Sequence, residues 1–175
     1  MNKLIAHISS IAATLEGVAD ARATVLRHDS EDIVIVMVQN NGYLSDIQLR
    51  ERVAAEIDEP CPPLGVLGVP ELPLPDQPVD PEELRAALNN GWCVLFEPPD
   101  SPMEKTLAAL WGRALDHPRV GTRDDFLELG GDSLAAVAIL AEVETLFGVK
   151  LEIQDLMDVA TIEGLAEVIA QNGAV

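Results

Sequence analysis

The chain has 175 residues and a formal net charge of −19, with 30 acidic residues against 11 basic ones. A chain this acidic lacks the excess of basic residues with which proteins bind nucleic acid or an anionic membrane surface, and we expect neither partner. Hydrophobic residues make up 48% of the chain and aromatic residues only 3%, so aliphatic side chains must fill the core. No apolar run reaches the length of a membrane-spanning helix, and we therefore expect a cytoplasmic protein.

Six segments of the first half have helical or extended periodicity. They follow in the order helix, strand, strand, helix, strand, helix, over residues 2–15, 18–26, 33–38, 46–57, 64–69 and 81–88. Ser45 is expected to cap the second of these helices, because Gln48 three residues later completes a capping box. Pro81 stands at a first-turn position and is expected to begin the third. This order predicts a small α+β unit over residues 1–90.

Residues 91–100 join this unit to the second half of the chain. The glycine at their start and the prolines at their end are typical of a linker. However, Trp92, Val94 and Phe96 are each worth about 1.5–3 kcal/mol when buried. We therefore expect this run to dock against one of the two units, which would shorten the flexible part of the linker.

A glycine pair followed by an acid and a serine opens an apolar helical segment in the second half. The residues are Gly130, Gly131, Asp132 and Ser133, and the helical segment runs to Phe147. The glycines allow a tight turn, and the helix start places the serine hydroxyl beside backbone N–H groups that lack intrahelical partners. These groups and the helix dipole favour an anion, so the position suits a serine that carries a phosphodiester.

The nine residues from Phe126 to Leu134 resemble the attachment motif of peptidyl carrier domains of non-ribosomal peptide synthetases, and the likeness covers roughly residues 101–171. It implies an all-α four-helix-bundle carrier domain over residues 101–175. It also implies that Ser133, flanked by Gly131, Asp132 and Leu134, bears a 4′-phosphopantetheine arm. A separate phosphopantetheinyl transferase would attach this arm from coenzyme A, and the arm would hold an acyl group as a thioester.

The second helix of that bundle is expected to present a docking surface beside the serine. Ala135, Ala138 and Ile139, with Met157 on the third helix, are expected to flank Ser133 and contact partner enzymes. An alternative remains open for Ile139 and Met157, since apolar residues at helical spacing are more often core. The expected core positions of the second helix are Leu134, Val137, Ala141 and Phe147.

The first half resembles the small carboxyl-terminal subdomain of adenylation domains, which activate amino acids in the same synthetases. Pro78 stands where that family has a lysine that stabilises the acyl-adenylate, and proline offers neither charge nor a donor. The resemblance therefore implies a unit that cannot activate a cargo, with loading in trans by a stand-alone adenylation enzyme or adenylation core. Downstream condensation or tailoring enzymes would be further partners. Residues 1–90 would then be a docking module or a structural remnant.

Two other functions compete with the peptidyl carrier. One is an acyl carrier of the polyketide or fatty-acid type. The other is a serine hydrolase, because Gly131-Asp132-Ser133-Leu134 is also the signature of an esterase family. That chemistry needs a general base, usually a histidine downstream of the serine. The histidines here are His7, His28 and His117, and all three precede Ser133.

The two cysteines, Cys61 and Cys93, have neither the spacing of metal ligands nor the density of a disulfide framework. We therefore expect reduced thiols and no metal site. Because a carrier only holds its cargo, we also expect no catalytic residue in this chain.

Overall fold

A computed structural model describes residues 2–42, 44–58, 60–74 and 77–173. The chain divides into two compact units, with the boundary between Leu95 and Phe96. Within the described residues, no helix has both the length and the apolar character needed to cross a membrane.

The first unit is a four-stranded sheet with three helices. Its elements are α1 (Asn2–Thr14), β1 (Val18–His28), β2 (Glu31–Asn40), α2 (Asp46–Ala55), β3 (Leu64–Gly68), α3 (Pro81–Asn89) and β4 (Val94–Leu95). The strands lie in the order β1-β2-β3-β4, with β2 and β3 parallel and the two outer pairs antiparallel. The six predicted elements are confirmed. The two residues of β4 are too few to show a period, and this strand was not predicted.

Strand β2 is the centre of the first unit. Val34, Val36 and Val38 belong to a cluster with residues of α1 and α2, whereas Ile33, Ile35 and Met37 belong to a cluster with residues of α3. Because successive side chains of a strand point to opposite faces, the sheet is covered on both sides. Burial on both faces explains why the sequence of β2 is an uninterrupted apolar run.

Side-chain caps fix the helix starts of this unit. The Ser45 hydroxyl accepts from the Gln48 amide at 3.2 Å and the Gln48 side chain accepts from the Ser45 amide at 3.2 Å, which confirms the predicted capping box. At α3 the Asp80 carboxylate accepts from the Glu82 amide at 2.9 Å, and Pro81 begins the helix as predicted.

A polar cluster lies at the β3 and β4 side of the sheet. Asp46 accepts a hydrogen bond from the Gly68 amide at 2.8 Å, and the buried Arg50 donates to the Val94 carbonyl at 3.4 Å. Burial, and then the Asp46 charge, raise the pKa of the Cys93 thiol to about 12, while Arg50 acts in the opposite direction. Burial also raises the pKa of Asp46. Cys93 is therefore an inert core thiol.

The second unit consists of helices. Its elements are α4 (Pro102–Leu115), α5 (Ser133–Phe147), α6 (Ile153–Val159) and α7 (Ile162–Gln171). Helix α4 packs against α5 and α7, and α6 packs against the same two helices. Helix α6, the third helix of the bundle expected from the sequence, has seven residues and includes Met157. The largest fully buried side chains of this unit are Leu107, Trp111, Phe126, Leu129, Ile139, Leu156 and Ile162.

The predicted linker is divided between the two units. Cys93 is buried in the first unit, and Val94 and Leu95 pair with β3. The next residue, Phe96, stacks on Arg119 of the second unit, with the guanidinium carbon 4.1 Å from the ring centroid. Trp92 is 67% exposed, so the expectation that it docks is wrong. Trp92 and Cys93 lie in the bend between α3 and β4, where both amides donate to the Ala87 carbonyl, and Cys93 takes the buried position.

Two further contacts hold this run on the second unit. The Thr122 amide donates to the Glu97 carbonyl at 2.9 Å, and the Arg123 guanidinium lies 3.3 Å from the Glu97 carboxylate. Residues 93–95 of the predicted linker therefore pack in the first unit, and residues 96 and 97 contact the second, whereas docking on a single unit was expected.

Candidate functional site

The turn before α5 is closed by its own hydrogen bonds. The Asp125 carboxylate accepts from the amides of Leu127 and Glu128 at 2.8 and 3.1 Å, and the Asp125 carbonyl accepts from Leu129 at 3.0 Å. The Phe126 carbonyl accepts from the Gly131 amide at 2.8 Å. These contacts bring the chain back on itself immediately before Ser133.

The turn is anchored in the helical core through Phe126. This ring is fully buried and meets Trp111 of α4 edge-on, with 5.2 Å between centroids and 72° between planes. The Phe126 amide also donates to the Ala160 carbonyl, between α6 and α7, at 2.8 Å. The turn is therefore fixed against α4 and the junction between α6 and α7.

The two glycines are required for different reasons. Gly130 has a φ of +90°, in the left-handed region that favours glycine. A Cβ on Gly131 would lie 2.5 Å from the Phe126 ring and from its carbonyl oxygen, so no side chain fits there. A Cβ on Gly130 would meet nothing within 4 Å, which means that the space beside the turn is open.

Asp132 caps α5. Its carboxylate accepts from the amides of Leu134 and Ala135 at 2.9 and 2.8 Å, and its carbonyl accepts from Ala136 at 2.9 Å. The sequence indicated that such amides would stabilise a phosphodiester on Ser133. In the structure they already have partners, because an aspartate at the N-cap satisfies them locally. A group on the exposed Ser133 hydroxyl would therefore extend into solvent.

The predicted docking residues do not share one environment. Ala138 is exposed, and Ala135 and Met157 are half-buried. Ile139 is only 1% exposed and belongs to the core. The docking role predicted for Ile139 is therefore wrong, and its alternative as a core residue is confirmed.

The predicted core positions of α5 are also wrong. Leu134 is 81% exposed, Val137 is 53% exposed, Ala141 is exposed and Phe147 is half-buried. The physical reason is that α5 is apolar on almost every side of its first half, so periodicity does not select the face that packs. The buried positions, spaced i, i+3, i+4 and i+7, are Ala136, Ile139, Leu140 and Val143.

An apolar surface results beside Ser133, and of its residues the sequence analysis assigned only Ala138 to a docking role. We name it the exposed α5 face; its residues, at i, i+3, i+4 and i+7, are Leu134, Val137, Ala138 and Ala141. Exposed apolar side chains grouped on one helix face mark a surface that binds other molecules. Leu134, Val137 and Ala141 were assigned to the core, because apolar residues at helical spacing are more often buried.

The hydrolase alternative requires a histidine beside Ser133. In the described part of the chain, no histidine hydrogen-bonds to the Ser133 hydroxyl, and the Nε2 atom of His117 contacts the Leu129 carbonyl at 2.9 Å instead. Among the same residues, no three His, Cys, Asp or Glu side chains are grouped as metal ligands.

Residues 105–169, which include Ser133 and all of α5, match the protein family described as phosphopantetheine attachment site. This part of the chain therefore belongs to the class of carrier domains that bear a covalently attached phosphopantetheine. The structure fits that group, since an exposed serine follows an open turn with no side chain on either glycine.

Within that class, the chain is similar to parts of peptide synthetases. It is 34% identical over 133 residues to surfactin synthase subunit 1 of Bacillus subtilis, which covers 74% of this chain and 4% of that protein. It is 27% identical over 176 residues to isonitrile lipopeptide synthase of Mycobacterium tuberculosis, which covers 96% of this chain and 7% of that protein. The chain thus spans less than a tenth of the length of these curated relatives.

The chain is also similar in sequence to a protein of known structure. The chain is 33% identical to a chain in the structure of the phosphopantetheine transferase Sfp in complex with coenzyme A and a peptidyl carrier protein. The alignment covers 43% of this chain and 99% of that chain, with a TM-score of 0.43.

Proposed function

We propose that Ser133 is the attachment point of 4′-phosphopantetheine and that the second unit is a four-helix-bundle peptidyl carrier without catalytic activity of its own. The observation that carries this proposal is the exposed Ser133 hydroxyl at the first position of α5, directly after a turn fixed in the core. When bound, the arm supplies a terminal thiol that holds an aminoacyl or peptidyl group as a thioester.

The residues around Ser133 present the hydroxyl to a phosphopantetheinyl transferase. Phe126 fixes the turn against which Gly131 packs, Gly130 leaves the space beside the turn open, and Asp132 satisfies the helix start without any phosphate. Tethering through the arm raises the concentration of the cargo at each partner without tight binding.

The first unit is proposed to be related to the carboxyl-terminal subdomain of adenylation domains. The likeness to isonitrile lipopeptide synthase, which extends over 96% of the chain, supports this relation. No lysine lies between residues 71 and 80, and Pro78 stands at the position of the lysine that the resemblance implies. Arg22 holds this loop by donating to the carbonyls of Leu74 and Gln77 at 2.9 and 3.1 Å. Cargo activation is therefore assigned to a separate adenylation enzyme.

The exposed α5 face is proposed to contact these partners. Leu134 and Val137 are its largest side chains, and they lie next to and one turn beyond Ser133. The transferase, the adenylation enzyme and the downstream condensation or tailoring enzymes would use this face in turn, together with the half-buried Ala135 and Met157.

The test of attachment is intact mass after incubation with coenzyme A and a broad-specificity transferase. One phosphopantetheine should be gained by the unaltered protein and by Ser10→Ala, which changes an exposed serine of α1. Ser133→Ala should gain none and should keep the far-ultraviolet circular dichroism spectrum of the parent. A mass gain that survives in Ser133→Ala would refute the assignment.

The test of cargo and loading follows with the modified protein. Adenylation enzymes, ATP and a mixture of amino acids should add an aminoacyl mass, while the modified protein with ATP and amino acids alone should stay unloaded. Loading by fatty acyl or malonyl transfer, without any aminoacyl loading, would favour the acyl-carrier alternative.

A further inference from the structure

A hydrogen bond links the end of α4 to the turn that precedes Ser133. Asp116, with a φ of 55°, ends α4, and the His117 amide then donates to the Gly112 carbonyl at 2.9 Å. A Cβ on Gly112 would lie 2.8 Å from the His117 carbonyl oxygen, so the backbone of His117 is packed tightly against α4. From this position the His117 ring reaches across to Leu129, where Nε2 lies 2.9 Å from the carbonyl oxygen.

The direction of this hydrogen bond follows from its chemistry. A carbonyl oxygen can only accept, so the Nε2 atom of His117 carries the hydrogen. The contact is partly buried and spans twelve residues of sequence. It is therefore a tertiary contact between α4 and the turn, and not part of the local hydrogen bonding of either.

The peptide group that His117 contacts precedes a glycine, which allows it more than one orientation. It joins Leu129 to Gly130, whose φ is +90°, and a glycine populates several backbone regions at similar energy. In the structure this peptide is held on both sides, since the Gly130 amide donates to Leu127 at 3.0 Å and the Leu129 carbonyl accepts from His117. Loss of the His117 donor would leave one side unrestrained.

We infer that His117 is a positioning residue for the transfer of phosphopantetheine to Ser133, an inference that rests on the proposed function. It acts through the Leu129 carbonyl and does not contact the serine. With the donor removed, the Leu129–Gly130 peptide samples a second orientation, and fewer molecules present the turn that the transferase binds. A smaller competent fraction raises the apparent KM in proportion and leaves kcat unchanged.

The experiment measures initial rates of phosphopantetheine transfer from coenzyme A, by a broad-specificity transferase, over a range of carrier concentrations. His117→Leu removes the donor, His117→Gln places an amide donor near the position of Nε2, and His7→Leu changes an exposed histidine of α1 as the matched control. One hydrogen bond corresponds to about a tenfold change in the equilibrium between the two peptide orientations, so about tenfold is the upper bound on the rise in KM. We expect KM to rise by about two- to tenfold in His117→Leu, to return to the value of the unaltered protein in His117→Gln, and to stay unchanged in His7→Leu, with kcat constant throughout.

A structural readout accompanies the rates. The amide resonances of Gly130 and Gly131 should shift or double in His117→Leu and return in His117→Gln. Unchanged KM in a folded His117→Leu, or a fall in kcat alone, would overturn the positioning role. If His117→Leu does not fold, the tautomer of the unaltered protein decides: a neutral ring with its hydrogen on Nδ1 would overturn the inference, and one with its hydrogen on Nε2 together with normal KM in His117→Gln would support it.

The two proposals fail in different ways. If the unaltered protein gains no phosphopantetheine, or gains it in Ser133→Ala, the proposed function fails. If the unaltered protein is modified at Ser133 and His117→Leu is modified with the same KM, only the positioning role of His117 fails.

Discussion

The two units use their apolar residues differently. In the first unit, every residue of β2 from Ile33 to Val38 is buried, because helices cover both faces of the sheet. In the second unit, α5 is just as apolar, yet Leu134 and Val137 are largely exposed. These exposed apolar side chains lie beside Ser133, where they are accessible to another molecule. The comparison separates residues that stabilise the protein from residues that we propose contact its partners.

The largest loss of stability is expected from a charged side chain placed in β2. Val36→Asp buries a carboxylate in a fully enclosed position and should cost about 5 kcal/mol of unfolding free energy. Val137→Asp places the same charge on the exposed α5 face and should cost less than about 0.5 kcal/mol while slowing transferase modification. Urea unfolding followed by circular dichroism, with initial rates of modification, tests both. Equal losses of stability would show that the two environments do not differ as described.

A second pair of substitutions compares the buried side of α5 with its exposed side. Ile139→Ala should leave a cavity in the core and cost about 3 kcal/mol. Leu134→Ala removes an exposed side chain of similar size, so the unfolding midpoint should change little and the transfer rate should fall. The outcome that contradicts this assignment is a stable Ile139→Ala protein with impaired transfer, which would return Ile139 to the docking surface.

The glycine pair allows a finer comparison within the turn. Gly131→Ala forces a Cβ against the Phe126 ring and carbonyl and should cost about 2 kcal/mol. Gly130→Ala meets open space but must adopt a φ of +90°, which should cost about 1 kcal/mol. Chemical denaturation of both variants measures which substitution costs more unfolding free energy. A larger loss in Gly130→Ala would mean that backbone strain outweighs the contact with Phe126.

The smallest effect concerns the buried thiol of the first unit. Because the pKa of Cys93 is raised from 9.0 to about 12, its unfolded form ionises first as the pH rises. The stabilising contribution is complete well below pH 9 and is lost as the pH rises toward 12, with a loss of about 0.4 kcal/mol already at pH 9. Cys93→Ala should show a shallower decline in unfolding free energy between pH 8 and 10. Parallel declines in the two proteins would indicate that this thiol ionises freely when folded.

Elements of the first unit could be predicted because their signals are local. Ser45 with Gln48 and Asp80 with Pro81 mark helix starts through adjacent residues, and the β-branched run of β2 has no helical interpretation of comparable quality. The signal that places Ser133 at a helix start is local as well, because a glycine pair and an N-cap aspartate directly precede it.

The remaining features depend on tertiary contacts. Leu134, Ala138 and Ile139 are all apolar, and only packing against the other helices decides which of them is buried. The fit of Gly131 against Phe126 and the contact of His117 with Leu129 join residues that have no shared pattern. The exposed α5 face and the positioning residue therefore became visible only in three dimensions.

The junction between Leu95 and Phe96 has a practical consequence for protein engineering. Leu95 completes β4 of the first unit, while Phe96 and Glu97 contact Arg119, Thr122 and Arg123 of the second. A carrier excised at residue 101, where the attachment-domain resemblance begins, would lose its own Phe96 and Glu97 and expose the surface that they cover. An excised carrier should therefore begin at Phe96, and a reporter or affinity sequence inserted between Leu95 and Phe96 would interrupt neither hydrogen-bonded unit.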